Sequence, residues 1–579
     1  MSEYLKYIFA FDATHPLLFT QFYFWGFFAL VYALFALIID RVPDAWGRKK
    51  LHLRNVYLMF VSWFFYYKTS GIFLLILLFV TLSDWIIAKQ IYKFQISYPY
   101  GTIASNFKFP IAKILLTLSV VIDLGFLCYF KYAYFFTDVF NSVCGTNYTI
   151  VDKIVLPVGI SFYIFQVISY TADVYRGRIE PVKNILDFGF YVSFFPQLVA
   201  GPIVRAEEFI PQLYKPFYLS RRAFGIAVFW IINGLAKKII LSDFLAVNLI
   251  DRVFENPLLF SGFENMFAIF AYSLQVYADF SGYTDIAIGV AMLMGFYLPM
   301  NFNSPYKSKN PQEFWRRWHM SLGRWLKTYL YIPLGGNRTI LGFKAPKLWA
   351  ANFNSFITQI LGGLWHGASW NFIIWGGLNG IGMIVEKIWR EMNWHVRFGL
   401  MTLALFGLCV LDYTTGLPVW RMFAVWTALV WFGTAIRYIY FLCEGPDTKL
   451  TKAIQTAWAV LQTFVFITFT RLFFRSSSNL DPATANEVAW ETAKNMVNQI
   501  GGAWSNAIIP AFLWEYRYVV LMFVAGMIIH WLPTNWKRRY RLWFSAMPLW
   551  LMVIVVCAAL VVIYQFVTAD VQPFIYFQF

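Results

Sequence analysis

Two histidines in one stretch rich in tryptophan and glycine are the residues of this sequence best suited to proton transfer. His319 and His366 lie 47 positions apart, between Asn301 and Gly382. An imidazole titrates near neutral pH, so it can accept a proton from a hydroxyl nucleophile. No GxSxG, HExxH or P-loop sequence accompanies them. General acid–base chemistry is therefore one hypothesis, and a structural role, with each ring donating to a carbonyl, is the alternative.

The first histidine falls in a helix predicted from about Pro311 to about Tyr331. Asn310 can cap this helix, Pro311 suits its first position, and Glu313 sits where a capping box has its acid. Bulky apolar side chains recur at spacings of three and four, which predicts one apolar face made of Trp315, Trp318, Leu322, Trp325 and Tyr329. With basic residues over the rest, such a helix is expected on or in a membrane surface.

The second histidine lies in an apolar run crowded with glycine. Gly362, Gly363 and Gly367 surround His366. Glycine costs about 1 kcal/mol per residue relative to alanine in a helix, so this density is expected where backbones or a ligand come close. A titratable ring at membrane depth is a functional-site hypothesis by default.

Composition places the elements that hold these residues in a membrane. The chain has 579 residues, of which 59% are hydrophobic and only 13% are charged. Apolar runs of about 20 residues recur along its whole length, which is typical of membrane-spanning helices and not of a β-barrel. The sequence therefore predicts an all-α polytopic membrane protein with roughly 11 to 13 transmembrane helices plus re-entrant and interfacial helices.

The net charge of +17 does not indicate a nucleic-acid partner. Lys and Arg sit in short clusters between apolar runs, as the positive-inside rule predicts. The five cysteines are scattered singly, without CxxC or metal-ligand spacing, so we expect neither disulfides nor a metal site.

Charge placement also predicts how the histidines are held. Residues 301–347 carry nine Lys or Arg and one acid, so this segment is expected in the cytoplasm, whereas both chain termini are expected outside it. Counting spans from either end leaves both ends of the segment 348–386 cytoplasmic. This segment should dip into the membrane and return, or form two short spans, with His366 near the deepest point.

A second interrupted segment runs through Phe188–Arg205, where Pro196, Gly201 and Pro202 break an apolar run. We interpret it as re-entrant or interfacial, and a kinked span is the alternative. No internal repeat or soluble linker is found. We therefore expect one membrane-embedded domain over residues 1–579, with a core at about 100–400, a catalytic region at 301–382 and C-terminal helices at about 400–579.

Several polar residues are candidates for binding a substrate or an acyl donor. Asp279 and Asp285 are predicted at membrane depth, where they either contact substrate or satisfy hydroxyls and basic side chains inside the bundle. The other candidates are Trp315, Arg316, Arg317, Asn303 and Asn371. A basic cytoplasmic surface suits donor phosphates, unless its charges only set topology: Lys307, Lys309, Arg316, Arg317 and Arg324.

At these residues the chain resembles the membrane-bound O-acyltransferase family, and more closely its bacterial branch of alginate O-acetylation and teichoic acid D-alanylation proteins. The resemblance rests on WRRWHMSLGRW, YIPLGGNR and the WHG of His366, supported by LPVGISFYIFQ, FFPQLVAGPIVR, ADFSGYTDIAIG, NFNSPY and the terminal PFIYFQF. It covers nearly the whole chain. The combination is specific, although each piece alone is not.

The resemblance implies a helical membrane domain that moves an acyl group from a cytoplasmic donor to an external acceptor hydroxyl, with His366 and His319 as catalytic residues. It implies acetyl-CoA or an acylated carrier protein as donor, no tightly bound cofactor, a bacterial inner-membrane location, and a periplasmic or extracellular acetyltransferase or polysaccharide as acceptor partner. The length and the additional material after Trp389 favour O-acetylation of an exopolysaccharide such as alginate.

Three other functions stay open on the sequence alone. They are D-alanyl transfer to teichoic acid, lipid or sterol acylation on the same fold, and proton-coupled transport through intramembrane histidines. Transport would predict an internal repeat, which the sequence does not show.

Overall fold

The computed structural model describes residues 10–12, 16–96, 105–150, 154–199, 201–443, 445, 448–478, 480 and 484–567. The chain divides into two compact units. The first comprises Met1–Lys238, Phe280–Asn301 and Asn535–Gln565, and the second comprises Ile239–Asp279, Phe302–Thr534 and Phe566–Phe579. The two chain ends, predicted to be extracytoplasmic, include residues 1–9 and 568–579, which lie outside the described residues.

The described chain is built of α-helices, with one short antiparallel pair of two-residue strands, β1 (Thr339–Ile340) and β2 (Phe343–Lys344). The α-helices are α1 (Phe22–Arg41), α2 (Arg48–Ser70), α3 (Leu74–Ile96), α4 (Ser105–Leu127), α5 (Ala133–Cys144), α6 (Ile160–Tyr175), α7 (Ile185–Ser193), α8 (Phe195–Leu198), α9 (Ala206–Leu213), α10 (Arg221–Leu235), α11 (Asp251–Glu255), α12 (Gly262–Leu293), α13 (Pro311–Arg317), α14 (Met320–Leu326), α15 (Lys347–His366), α16 (Trp370–Glu391), α17 (Trp394–Thr415), α18 (Pro418–Leu442), α19 (Lys449–Ser476), α20 (Ala485–Gly502), α21 (Ile508–Glu515), α22 (Arg517–Trp531), α23 (Thr534–Ala546) and α24 (Leu549–Tyr564).

The predicted all-α polytopic class is confirmed. Within the described residues, seven helical runs are long and apolar enough to cross a membrane, or eight if the bent pair α21–α22 is one span. This is fewer than the 11 to 13 expected. One reason is that the run Arg48–Gln95, which counts once, contains α2 and α3 with a 3-10 turn at Gly71–Phe73 between them. Another is that apolar α6 has only 16 residues.

The interrupted segment Phe188–Arg205 lies within the first unit and is largely buried. Its helix α7 ends at Ser193, and the four-residue α8 follows after Phe194. Neither helix is among the candidate spans, in keeping with the prediction that this is no ordinary span. Phe194 packs against two other rings of the same unit, at 5.3 Å from Phe209 and 5.2 Å from Phe296 between centroids. Aromatic packing therefore holds the broken segment.

In the second unit, α15 and α16 form an antiparallel helical hairpin. The two helices approach closely because glycine replaces side chains at their contact. A Cβ added to Gly363 would lie 2.3 Å from the Phe372 carbonyl oxygen, and one added to Gly376 would lie 2.4 Å from the Gln359 carbonyl oxygen. Residues 348–386 thus form a helical hairpin whose glycines serve a backbone contact, and both predicted alternatives, a dip into the membrane with return and two short spans, are compatible with it.

Replacing Gly363 with alanine should destabilise this hairpin. The new methyl group meets a carbonyl oxygen of the neighbouring helix, so the helices must separate, at a cost of roughly 1–3 kcal/mol. Gly377→Ala is the matched control, because a Cβ there meets nothing within 4 Å and only improves helix propensity. Thermal unfolding followed by tryptophan fluorescence should show a lower Tm for Gly363→Ala alone. Equal Tm values for the two variants would contradict this account.

Candidate active site

His366 is the last residue of α15, at the turn of the helical hairpin. Its side chain is 3% exposed. Its ring centroid lies 4.9 Å from that of Trp365, 5.2 Å from that of Trp375 on α16 and 5.2 Å from that of Phe474 on α19, each in an edge-on arrangement. Packing against three rings fixes the imidazole in one orientation, which a proton-transfer group requires.

His319 does not lie inside a continuous helix, so the prediction of one helix from Pro311 to Tyr331 is wrong. Helix α13 ends at Arg317, and α14 begins at Met320. His319 itself has a left-handed backbone, with φ of +43°, and its side chain is 1% exposed. After α14 the chain continues as a π-helical turn, Lys327–Tyr331. The break exposes backbone groups next to His319 that a helix would use internally.

A contact from outside the helix accompanies this break. The Arg317 carbonyl oxygen accepts a hydrogen bond from the Asn303 amide at 2.9 Å, whereas a continuing helix would offer that oxygen to the amide four residues on. The second helix then restarts with a hydrogen bond from the Gly323 amide to the His319 carbonyl oxygen, at 3.0 Å. Tertiary structure thus overrides the helical pattern at this position.

The predicted start of α13 is confirmed. The Asn310 side chain accepts a hydrogen bond from the Glu313 amide at 2.8 Å. Glu313 differs from a standard capping box, because its carboxylate accepts from the amide of Lys309 at 3.0 Å. The same carboxylate pairs with Arg317 at 2.7 Å. Arg317 also donates from Nη1 to the Asn303 carbonyl oxygen at 3.1 Å, so it is held by its own helix and by the segment before it.

Trp365 links the two histidines. Its ring centroid lies 6.0 Å from that of His319 and 4.9 Å from that of His366. Trp315, a predicted site residue on α13, also reaches this cluster, since its ring lies 5.5 Å from that of Trp375. The structure therefore brings His319, His366 and Trp315 together in one buried aromatic cluster of the second unit.

Burial gives the His319 ring a distinct chemistry. Loss of solvent lowers the pKa of His319 to about 3, because the charged imidazolium loses its hydration. His319 is therefore neutral across the physiological pH range and accepts protons weakly. A neutral ring can still orient or hydrogen-bond a substrate group.

The two acids predicted at membrane depth have different surroundings. Asp285 belongs to the first unit, where its carboxylate pairs with Lys237 at 2.7 Å and accepts from the Asn233 amide at 2.7 Å. Asp285 therefore pairs with a basic side chain inside the helix bundle, as in the structural alternative to substrate contact. Asp279 belongs to the second unit, as both histidines do, and its side chain is 3% exposed.

Of the remaining candidates, one is held by hydrogen bonds and two are exposed. Asn371, at the start of α16, donates to the Ser476 hydroxyl at 2.9 Å and to the Ala489 carbonyl oxygen at 2.9 Å. It thus ties the hairpin to α19 and α20. Arg316 and Asn303 are exposed.

Residues that the sequence interpretation missed complete the cluster. Phe474 and Arg471 on α19 come from far along the chain, and Arg471 is 1% exposed with its guanidinium carbon 4.0 Å from the centroid of the Trp318 ring. The signal available in the sequence was an arginine within a strongly apolar helix. Nothing in its spacing indicated which residues it contacts.

Comparison with known proteins identifies the family of this chain. The family model described as MBOAT, membrane-bound O-acyltransferase family, matches residues 123–402, which include both histidines. The chain is 37% identical to the probable alginate O-acetylase AlgI of Azotobacter vinelandii, over 71% of this chain and 81% of that protein. It is also 36% identical to the peptidoglycan O-acetyltransferase of Helicobacter pylori, over 50% of this chain and 60% of that protein.

A more distant similarity extends to acyl transfer of another kind. The chain is 28% identical to the teichoic acid D-alanyltransferase of Bacillus subtilis, over 41% of this chain and 60% of that protein. These relatives share transfer of an acyl group to an acceptor, while their names differ in acceptor and acyl group. The histidine cluster, the multi-pass helical fold and these matches together place the chain in the membrane-bound O-acyltransferase family, as a membrane O-acyltransferase.

Proposed function

We propose that this enzyme takes an acetyl group from a cytoplasmic donor, either acetyl-CoA or an acylated carrier protein, and transfers it across the membrane to an extracytoplasmic acceptor. The acceptor is the hydroxyl of an exopolysaccharide such as alginate, reached directly or through a periplasmic or extracellular acetyltransferase. The enzyme works from the bacterial inner membrane without a tightly bound cofactor.

The observation that carries the proposal is that two buried histidine rings both lie beside the ring of one tryptophan. His366 lies at the turn of a helical hairpin, and Trp365 beside it contacts His319. In the proposed reaction His366 accepts the acceptor hydroxyl proton as that oxygen attacks the acyl carbonyl. His319 has a low proton affinity and is therefore a poor base. Its role in the proposed reaction is to hold the acyl donor in position.

Charge supports a cytoplasmic donor. Lys309 and Arg316 lie exposed on a segment rich in Lys and Arg, which suits the phosphates of a CoA-type donor or of a phosphopantetheine arm. Lys307 is less suited to this role, because it donates to the Leu532 carbonyl oxygen at 2.6 Å. A donor held at this segment needs to deliver only its acyl group to the histidines.

The proposed function is tested by supplying the donor to one face of the membrane at a time and measuring acetyl transfer. Moving a charged donor through the bilayer centre costs at least about 2.5 kcal/mol per charge on insertion scales, whereas an acetyl group carries no charge. Proteoliposomes of one orientation should therefore transfer acetyl groups only when acetyl-CoA or acetylated carrier protein is supplied on the face that carries Arg316. Product should form on alginate oligosaccharide supplied to the opposite face, either alone or together with the periplasmic acetyltransferase.

The controls separate this mechanism from its alternatives. Proteoliposomes that contain His366→Ala protein should give no product from either face, which excludes acetylation without the enzyme. Impermeant labelling of a cysteine introduced at Arg316, in a protein without the five native cysteines, establishes the orientation. Equal transfer from donor supplied to either face would overturn the cross-membrane mechanism and favour a lipid acyltransferase that works within one leaflet.

A further inference from the structure

One buried cation in the second unit has no use in the proposed proton transfer. Arg471, on α19, is 1% exposed. Its Nε and Nη2 atoms are buried without a hydrogen-bond partner among the described residues. Burying a charge in this way is costly unless it has a partner, so an arginine at this depth needs an explanation.

Aromatic rings supply part of that explanation. The Arg471 guanidinium carbon lies 4.0 Å from the ring centroid of Trp318, 5.6 Å from that of Phe474 and 6.0 Å from that of Phe314. Cation–π contacts stabilise the charge, but they do not satisfy its N–H groups. Nε–H and Nη2–H are neighbouring donors that form a fork for an oxygen ligand.

A neighbouring arginine on the same helix is paired with a carboxylate, as buried arginines usually are. Arg475 lies one turn further along and is 8% exposed. Its Nη2 atom pairs with the Asp251 carboxylate at 2.8 Å. No ion pair of this kind involves Arg471 in the part of the chain that the structure describes. The two arginines therefore differ in their acidic partner: Arg475 has one, and Arg471 has none among the described residues.

One ring beside Arg471 also contacts a histidine of the cluster, and a second precedes a histidine in the chain. Phe474 contacts the guanidinium and lies 5.2 Å from the His366 ring. Trp318, under the guanidinium, directly precedes His319 in the chain. The unfilled donors of Arg471 thus belong to the same buried cluster as both histidines.

We propose that Arg471 is a further catalytic residue, whose Nε–H and Nη2–H groups donate to the acyl carbonyl oxygen as it becomes an oxyanion. The inference rests on the proposed acyl transfer at His366. A permanent acid partner would neutralise this guanidinium, whereas a charge that appears only during reaction gains the full interaction in a site shielded from water.

The proposed transfer passes through one tetrahedral oxyanion. The acceptor oxygen forms a bond to the carbonyl carbon of the donor thioester, the carbonyl π electron pair moves onto the carbonyl oxygen, and the hydroxyl proton passes to His366. The oxyanion then re-forms the carbonyl, the carbon–sulfur bond breaks, and the thiolate takes the proton from His366. Arg471 keeps its own protons and charge throughout, because an arginine does not titrate in this range.

The test compares Arg471→Met with wild-type protein in nanodiscs, using acetyl-CoA and acetylated carrier protein as donors and alginate oligosaccharide as acceptor. Loss of an oxyanion donor should lower kcat roughly 10²–10³-fold, with donor KM changed less than about twofold. The Tm should stay equal or rise, because the variant removes a buried charge that has no acid partner. Arg471→Lys should recover only part of kcat, since lysine lacks the planar fork.

Arg475→Met is the matched control on the same helix. It should lower Tm, since it leaves the Asp251 carboxylate without its partner, and should leave kcat per folded molecule unchanged. Millimolar guanidinium should partly restore turnover to Arg471→Ala and should not restore it to His366→Ala. That rescue reports a missing cation in the reaction and not a repaired fold.

Two results would overturn the proposal while leaving the proposed function intact. A lower Tm with retained kcat in Arg471→Met would make Arg471 structural. A higher donor KM with unchanged kcat would make it a contact to the bound donor and not to the oxyanion. If wild-type protein transfers no acetyl group from either donor, or if His366→Ala matches wild type, the proposed function itself fails and this inference fails with it.

Discussion

Replacing His366 with alanine is expected to reduce acyl transfer by about 10³-fold or more, because general acid–base catalysis by a positioned group contributes on the order of 10²–10⁴-fold. His366 is the last residue of α15, where alanine, a strong helix former, fits the backbone, and its neighbours include the rings of Trp365, Trp375 and Phe474. Expression and Tm should therefore stay near those of wild type. Initial rates with acetyl donor and polysaccharide acceptor, normalised to folded protein, measure the loss.

His395 provides the matched control for this experiment. It is an exposed histidine of the same unit, and its ring contacts the Tyr438 hydroxyl at 2.7 Å. His395→Ala should retain full transfer. If His366→Ala keeps more than a tenth of wild-type activity, His366 is not the principal base.

Substituting His319 is expected to lower transfer by about 10²-fold through lost positioning of the donor. Two variants separate the ring from the backbone. Asparagine tolerates the left-handed conformation at φ of +43°, whereas alanine adds strain there. Both His319→Asn and His319→Ala should lose turnover, and only His319→Ala should also lose Tm. An asparagine variant with normal turnover but reduced stability would restore the structural interpretation of His319.

The pH dependence of stability gives an independent measurement on His319. Its pKa is about 3 in the folded protein because burial disfavours the charged ring, and an exposed histidine titrates near 6.5. Between these values the unfolded chain binds a proton that the folded chain does not, so stability falls as pH decreases below 6.5. The contribution is at most about 1.4 kcal/mol per pH unit. Denaturation at pH 7 and pH 5 should show this loss in wild type and a smaller one in His319→Asn.

Local patterns in the sequence predicted several parts of the site correctly. Asn310 caps its helix as expected, because an N-cap depends on residues within one turn. The glycines around His366 predicted a close backbone contact, and Gly363 makes one with α16. The cytoplasmic placement of both ends of segment 348–386, inferred from charge parity, stays a prediction. Each of these inferences rests on neighbours in sequence or on composition, which the chain displays directly.

Long-range contacts explain where the sequence interpretation failed. Nothing between Pro311 and Tyr331 breaks a helical pattern, yet the helix stops because the Arg317 carbonyl oxygen bonds to the Asn303 amide. Likewise, an acid in an apolar helix does not reveal its partner, and the pairing of Asp285 with Lys237 became visible only when α12 and the residues following α10 were placed together.

The sequence by itself determined an all-α membrane protein and its family, and it singled out the two histidines as candidates, because composition, hydropathy and short motifs are written along the chain. Only the tertiary structure decided that both histidines share the ring of Trp365, that the Asn303 amide bonds the Arg317 carbonyl oxygen, and that α19 brings Arg471 and Phe474 into the cluster. The physical reason is that packing joins residues distant in sequence, and a buried cation is defined by what surrounds it.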